Sequence, residues 1–97
     1  MATKLIEAKT TNGAGPSVSL VDFDPIQPRF RTVYAFGNWG AAGADVEIEI
    51  SPDGVNWFLA HSFTGQDDYA IISASFTHIR AVVSDVDGST SLTAIVV

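Results

Sequence analysis

Between Asp45 and Ile50 the chain alternates strictly between acidic and aliphatic residues. The six positions read Asp45, Val46, Glu47, Ile48, Glu49, Ile50. Successive side chains of a strand point to opposite faces, so a period of two places all the acids on one side and all the aliphatics on the other. The segment is therefore predicted to be a β-strand with one solvated face and one buried face.

A tight turn follows this strand directly. In Ser51-Pro52-Asp53-Gly54, proline presets φ at the second turn position, and glycine accepts the positive φ that other residues resist. A second strand is expected over residues 56–63, with Trp57 packed back over the hairpin at the edge of the core. The candidate structural residues of this hairpin are Pro52, Asp53, Gly54 and Trp57.

The same reasoning predicts an all-β chain of about eight short strands. They are expected over residues 3–9, 17–23, 30–38, 45–50, 56–63, 69–74, 77–84 and 90–97. No apolar period of 3.6 residues persists for ten residues, so no helix is predicted. Short strands at this spacing indicate a single antiparallel two-layer β-sandwich, jelly-roll or immunoglobulin-like. The cysteine pair of immunoglobulin domains is absent, because the sequence contains no Cys.

The length of 97 residues has room for one domain, which we expect to span 1–97. Residues 1–16 are predicted as an N-terminal arm and loop: the weak strand over 3–9 is an edge or an arm, and residues 10–16 form a loop, since an Asn-Gly pair, a second Gly and Pro16 lie close together. Residues 24–28 hold two prolines and are predicted to be a connection.

The formal net charge of −6 bears on the kinds of partner. An acidic surface repels phosphate backbones, so nucleic-acid binding is not expected. No apolar run approaches the roughly 18 residues of a transmembrane helix, so no membrane span is expected. Residues 1–7 lack the long apolar centre of a signal peptide, which favours synthesis in the cytoplasm. The near-neutral first third is the end expected to dock on a partner.

Candidate catalytic and metal-binding residues are few. The two imidazoles, His61 and His78, lie in predicted strands and in no nucleophile motif, so we expect no enzyme activity and no catalytic residue. The run from Asp85 to Gly88 resembles the start of a calcium loop, but the distal Glu is missing. A plain hairpin turn is predicted there, with no metal and no cofactor.

Candidate contact residues for a partner are Trp39, Ile95 and Val97. The closing segment 94–97 is apolar on both faces, and a lone sandwich covers only one of them, so a neighbouring subunit is expected to cover the other. Trp39 lies among Gly and Ala, and its ring either folds down as a lid or is offered to a partner. If the strands flanking the Trp39 loop pair, Arg29 or Arg31 would face the acidic row of 45–49.

The segment Ser51-Pro52-Asp53-Gly54-Val55-Asn56-Trp57 resembles the S-x-D-G-x-x-W hairpin of several β-sandwich families, including discoidin-type modules and small virion proteins of tailed bacteriophages. A short, acidic, Cys-free chain rich in small residues is similar to phage head-decoration, or cement, proteins. Discoidin modules run longer and usually carry Cys.

The resemblance to decoration proteins implies a non-enzymatic virion subunit made in the host cytoplasm and placed on the capsid exterior. Such a subunit is a homo-oligomer, often a trimer, that binds the major capsid protein or another virion protein and stabilises the head. The alternative is a carbohydrate-binding module or a tail or adhesion accessory protein of a phage. In that case Trp39, Trp57 and Tyr69 would form the stacking platform.

Overall fold

The computed structural model describes residues 3–19 and 30–97. That part of the chain contains nine strands and no helix, and therefore no helix that could cross a membrane. The strands are β1 (Thr3–Lys9), β2 (Gly13–Ala14), β3 (Val18–Ser19), β4 (Phe30–Asn38), β5 (Asp45–Ser51), β6 (Phe58–Thr64), β7 (Asp68–Ser73), β8 (His78–Ser84) and β9 (Ser91–Val96).

The strands form two antiparallel sheets. Sheet A has the order β1-β9-β4-β7; in sheet B, β8 lies between β5 and the short strands β2 and β3, and β6 is the opposite edge. The first half of the chain pairs with the second half in nested fashion: β1 with β9, β2 and β3 with β8, β4 with β7, and β5 with β6. This nesting is the jelly-roll arrangement, which decides between the two topologies that the sequence allowed. The predicted all-β sandwich is confirmed.

The core lies between the inner faces of the two sheets. Alternate positions along each long strand are buried because the period of two aims them inward. Val46 and Ile48 have no exposed surface, as the alternation with acidic residues predicts. Other buried apolar residues are Leu5, Ile6, Val33, Ala35, Trp39, Ala44, Phe63, Ala70, Ile72, Ile79, Ala81, Val83, Leu92, Ala94 and Val96.

The N-terminal segment is part of the sandwich. Residues 3–9 form an edge strand of sheet A, and Leu5 is fully buried against the core. Gly13 and Ala14, in a stretch predicted as loop, pair with Val83 and Val82 of β8. Deleting residues 1–12 to test whether the near-neutral first third docks on a partner would therefore also remove a core strand.

Some predictions concern residues 20–29, which lie outside the described residues. These are the connection predicted over 24–28, residues 20–23 of the strand predicted over 17–23, and Arg29. Within the described part of that strand, Val18 and Ser19 pair with Ile79 and His78 of β8.

The strands flanking the Trp39 loop do not pair with each other. β4 lies in sheet A between β9 and β7, whereas β5 lies in sheet B between β6 and β8. Arg31 is placed opposite Ile72 of β7, so the expectation that it faces the acidic row is wrong. The cation opposite that row is Arg80 of β8, which is in register with Glu49.

Candidate interaction surface

The outer side of sheet A carries a continuous group of apolar and uncharged side chains. The inward residues of β4, β7 and β9 are buried in the core, and the residues between them point outward. Eight of these outward residues define what we call the sheet A face: Thr32, Tyr34, Phe36, Tyr69, Ile71, Thr93, Ile95 and Val97. None of the eight carries a charge.

Strand register arranges the sheet A face in rows across the strands. In the central row, Tyr34 lies between Ile95 of β9 and Tyr69 of β7. In the next row, Thr32 is opposite Ile71, and its carbonyl accepts a hydrogen bond from the amide of Val97 over 2.9 Å. Side chains directly opposite on one face of a sheet touch, so the rows form one surface.

Several large apolar side chains of the sheet A face are strongly exposed to solvent. The exposed fractions are 41% for Tyr34, 40% for Phe36, 59% for Tyr69, 61% for Ile71 and 48% for Val97. The rings of Tyr34 and Tyr69 are tilted by 33° with centroids 5.8 Å apart. A contiguous apolar patch rimmed by polar groups marks an interaction surface in a soluble protein.

A polar border flanks the sheet A face on the side of β1. Lys4 is in register with Ile95, and its ammonium group contacts the Glu7 carboxylate over 2.7 Å. Both side chains are more than half exposed, so this pair adds little to stability. The predicted contact residues Ile95 and Val97 both belong to the face, where Ile95 is half-buried between Lys4 and Tyr34.

The outer side of sheet B has the opposite character. The acidic row of β5 points outward there, and Arg80 Nε donates to Glu49 Oε1 over 2.7 Å. The Arg80 guanidinium also lies 4.2 Å from the ring centroid of Trp57, a cation–π contact. The expectation that Trp57 fills the core edge is thus corrected, because its ring packs on the outer side of sheet B.

Trp39 lies in the core, where 7% of its surface is exposed. Its indole Nε1 donates to Asp67 Oδ1 over 2.8 Å, and the same oxygen accepts from the amide of Gly37 over 3.1 Å. Of the two alternatives, the ring therefore folds down as a lid. Trp39 is no longer a candidate partner contact, because its side chain is buried. The sequence carries no sign of this, since Asp67 lies in a turn between two other strands.

The hairpin predicted between β5 and β6 is held together by hydrogen bonds that two side chains accept from backbone amides. The hydroxyl oxygen of Ser51, which is fully buried, accepts from the amide of Gly54 over 2.8 Å. The Asp53 carboxylate accepts from the amides of Asn56 and Val55, each over 2.8 Å. These donors hold the pKa of Asp53 well below its ordinary value, with the Asn56 amide contributing most. Gly54 has a φ of +81°, as the turn requires.

Asp87 anchors the turn between β8 and β9. Its carboxylate accepts from the amide of Ser89 over 2.9 Å, from the hydroxyl of the same residue over 2.8 Å, and from the amide of Ala42 over 3.2 Å. These bonds lower the pKa of Asp87 to about 2, the Ser89 amide having the largest effect. The carboxylate thus binds N–H and O–H donors and ties this turn to the loop after Trp39, as a structural turn does.

The two imidazoles pack against neighbouring residues. The ring of His61 meets the ring of Phe63 edge-on with centroids 4.7 Å apart. The Nδ1 atom of His78 lies 2.8 Å from the hydroxyl of Thr77. Residues 3–19 and 30–97 contain no group of three or more His, Asp or Glu side chains that could hold a metal ion.

Three further apolar residues with high exposure lie close together in sequence at the β5–β6 end of sheet B. They are Val55 in the turn and Phe58 and Leu59 at the start of β6, with exposed fractions of 76%, 59% and 59%. Leu59 is opposite Glu49 and Phe58 is opposite Ile50, so that these two point to different faces. The sequence pattern gave no indication of their exposure. We call them the hairpin cluster.

Comparison with known proteins shows the fold. No protein-family model matches the chain, and no curated protein matches it. Among solved structures, the chain is similar to the SPBc2 prophage-derived protein YomS, with a TM-score of 0.72 and 17% sequence identity. The similarity covers 99% of this chain and 90% of YomS, so the two share the sandwich across nearly their whole lengths.

Proposed function

We propose that the protein is a non-enzymatic structural subunit of a bacteriophage particle, placed on the capsid exterior, where it binds neighbouring virion proteins and stabilises the head. The observation that carries the proposal is the sheet A face, which leaves five large apolar side chains at least 40% exposed. Covering a surface of this kind lowers the free energy, and a subunit contact covers it permanently.

The similarity to YomS supports the phage part of the proposal. YomS is a prophage-derived protein, and the two chains share their architecture across nearly their full lengths. Shared architecture is compatible with a shared setting, while the surfaces of this chain support the role within the particle.

The physical basis of stabilisation is the burial of apolar area between subunits. Each Å² of apolar surface removed from water contributes roughly 25 cal/mol, so a few hundred Å² contributes several kcal/mol before the entropy of association is subtracted. Repeated over many copies on one shell, such contacts would oppose the outward pressure of packaged DNA. The rigid sandwich presents the face without the cost of ordering a loop.

The test is the composition and stability of particles. Particles of the phage that encodes the chain would be purified by density centrifugation, and heads would be separated from tails. We expect the chain in the head fraction in a fixed ratio to the coat protein, and we expect heads lacking it to release DNA at a lower temperature. Its absence from purified particles would refute the proposal, and its presence in tails alone would favour the accessory role.

The second candidate is carbohydrate binding by a phage adhesion device. Tyr34 and Tyr69 are neighbours on one exposed sheet face, which is how aromatic platforms are presented to sugars. The platform first expected from Trp39, Trp57 and Tyr69 does not form, because Trp39 is buried and Trp57 lies on sheet B. A glycan array with the wild-type chain and Tyr69→Ala tests this candidate, which requires a specific glycan signal that the variant loses.

A further inference from the structure

We propose that the sheet A face binds a second copy of this chain, so that the working unit is a two-fold symmetric dimer packed face to face. The inference rests on the proposed function in taking this face as a subunit contact, and it names the occupant. In an isologous contact the same patch serves both partners, so each residue of the face enters the interface twice.

Charge favours this face for self-association. Two copies that each carry a net charge of −6 repel one another, and the repulsion is greatest where acids meet. The outer side of sheet B bears Asp45, Glu47 and Glu49, of which Glu49 is paired with Arg80. The eight residues of the sheet A face are uncharged, and the border pair of Lys4 and Glu7 sums to zero. A second copy therefore approaches through sheet A with the least repulsion.

The area of the face suits a dimer. The three strands that carry the face and the bordering strand β1 lie about 4.8 Å apart, and six residues of about 3.3 Å each give a surface of roughly 20 by 20 Å. Side chains standing above that plane raise the accessible area beyond its projection. Counted on both copies, the projected area is about 800 Å², and the relief of the side chains brings the accessible area close to the roughly 1,000 Å² that a specific interface needs. The hairpin cluster, with three side chains, is too small for this.

The chemistry of the face also fits a stable contact. Tyr34 lies in its central row, and Phe36 and Tyr69 lie beside it. Aromatic residues dominate the energetics of interfaces, particularly near the centre. Thr32 and Thr93 have backbone or hydroxyl partners within their own chain, with the Thr93 hydroxyl accepting from the amide of Ala8 over 3.1 Å. Covering the face therefore leaves the Thr93 hydroxyl and the Thr32 backbone groups with partners.

The experiment is sedimentation equilibrium of the full chain over a wide concentration range. We expect a concentration-dependent mass that rises from 10.3 kDa to twice that value. Raising the salt concentration from about 10 mM to about 150 mM shortens the Debye length from about 30 Å to about 8 Å, and it should strengthen the dimer by screening the repulsion between acidic copies. A dimer held by ion pairs would weaken instead.

Two substitutions locate the interface. Ile71→Lys places a charge on an exposed position of an edge strand, where Lys is well tolerated, and it enters the interface twice. We expect it to weaken the dimer at least tenfold, and Val97→Lys to act in the same direction. The control, Val55→Lys, changes an even more exposed aliphatic residue of the hairpin cluster and should leave the dimer unchanged. Circular dichroism melting would confirm that all three variants fold.

Several outcomes would overturn the inference: a monomer at every concentration, a closed trimer, a dimer that withstands both sheet A substitutions, or a dimer lost on Val55→Lys. The particle test above is separate. A monomer that is nevertheless found on heads would refute the dimer and leave the proposed function standing. A dimer that is missing from particles would refute the proposed function and leave the dimer standing.

Discussion

The indole Nε1 of Trp39 donates a hydrogen bond to Asp67 Oδ1 over 2.8 Å, and so joins the loop after β4 to the turn before β7. The two residues are 28 positions apart in sequence, and the bond is partly buried. It holds a large ring over one end of the core and satisfies the ring's only polar group. A buried tryptophan requires such a partner.

Removing that partner should destabilise the protein. Asp67→Ala leaves the indole N–H and the Gly37 amide without their acceptor, which should lower the free energy of unfolding by about 1–3 kcal/mol. Asp67→Asn keeps a carbonyl oxygen at the same position and should lower it less. Urea unfolding of the three proteins measures both values. Equal stability of Asp67→Ala and wild type would show that the bond contributes nothing.

The backbone at Gly37 should tolerate no side chain. Its φ is +134°, and an added Cβ would overlap the carbonyl oxygen of Ser91 on the neighbouring strand β9. We expect Gly37→Ala to cost about 1–3 kcal/mol of folding free energy from strain and displaced strands. The control is Gly88→Ala, because a Cβ at Gly88 meets nothing within 4 Å. Similar chemical denaturation midpoints for the two variants would contradict the steric explanation.

Stability should fall in acid because of the turn carboxylates. The pKa of Asp87 is lowered from 3.8 to about 2 by the donors of Ser89 and Ala42, so the folded state favours its ionised form. A group with a depressed pKa contributes stability above its unfolded value and loses that contribution as pH falls through the folded value. The contribution of Asp87 should therefore disappear between about pH 4 and about pH 2. Asp53 acts in the same direction and extends the loss to lower pH.

Melting temperatures recorded against pH would check this dependence. Wild type should lose stability steeply over that acidic interval, whereas Asp87→Asn should start from a lower melting temperature and show a shallower decline. Identical slopes in the two proteins would mean that the Asp87 turn does not contribute to the pH dependence.

The contact between Trp57 and Arg80 should be visible in fluorescence. Arg80→Ala removes the cation above the ring and the partner of Glu49, so the indole should become more exposed and its emission should shift to the red. The cost in folding free energy should be about 1 kcal/mol, given the half-exposed setting. Arg80→Lys keeps the charge but loses the planar stacking and should give an intermediate result. An unchanged spectrum in Arg80→Ala would contradict the contact.

Local patterns in the sequence predicted the strands well. β1 and β4 have the predicted bounds, and β5, β8 and β9 agree within a residue at each end, because a period of two reads directly as a strand. The S-P-D-G turn followed from the backbone preferences of Pro52 and Gly54. Strand order did not follow, because pairs such as β1 with β9 join distant segments and no local preference specifies them.

The interaction surface was predictable in part. The alternation at the end of the chain predicted that Ile95 and Val97 share the outward side, and their role as partner contacts stays a prediction. In β4 the sequence separates Tyr34 and Phe36 from Val33 and Ala35, but size alone would place the aromatic side inward. The structure instead buries Val33 and Ala35 in the core and leaves Tyr34 and Phe36 exposed. The sequence did not decide whether Trp39 is buried, because the acceptor of its indole N–H is Asp67, which lies in a separate turn.

Incorporation of the chain into particles in direct competition is the measurement on which the proposal depends most. Equal amounts of Ile71→Lys and wild type, distinguished by mass, would be offered to assembling particles, and the ratio in purified heads would be determined by mass spectrometry. If the sheet A face is the subunit contact, Ile71→Lys should be depleted at least tenfold, while Val55→Lys in a parallel competition should enter at parity. Equal incorporation of Ile71→Lys and wild type would contradict the assignment of that face.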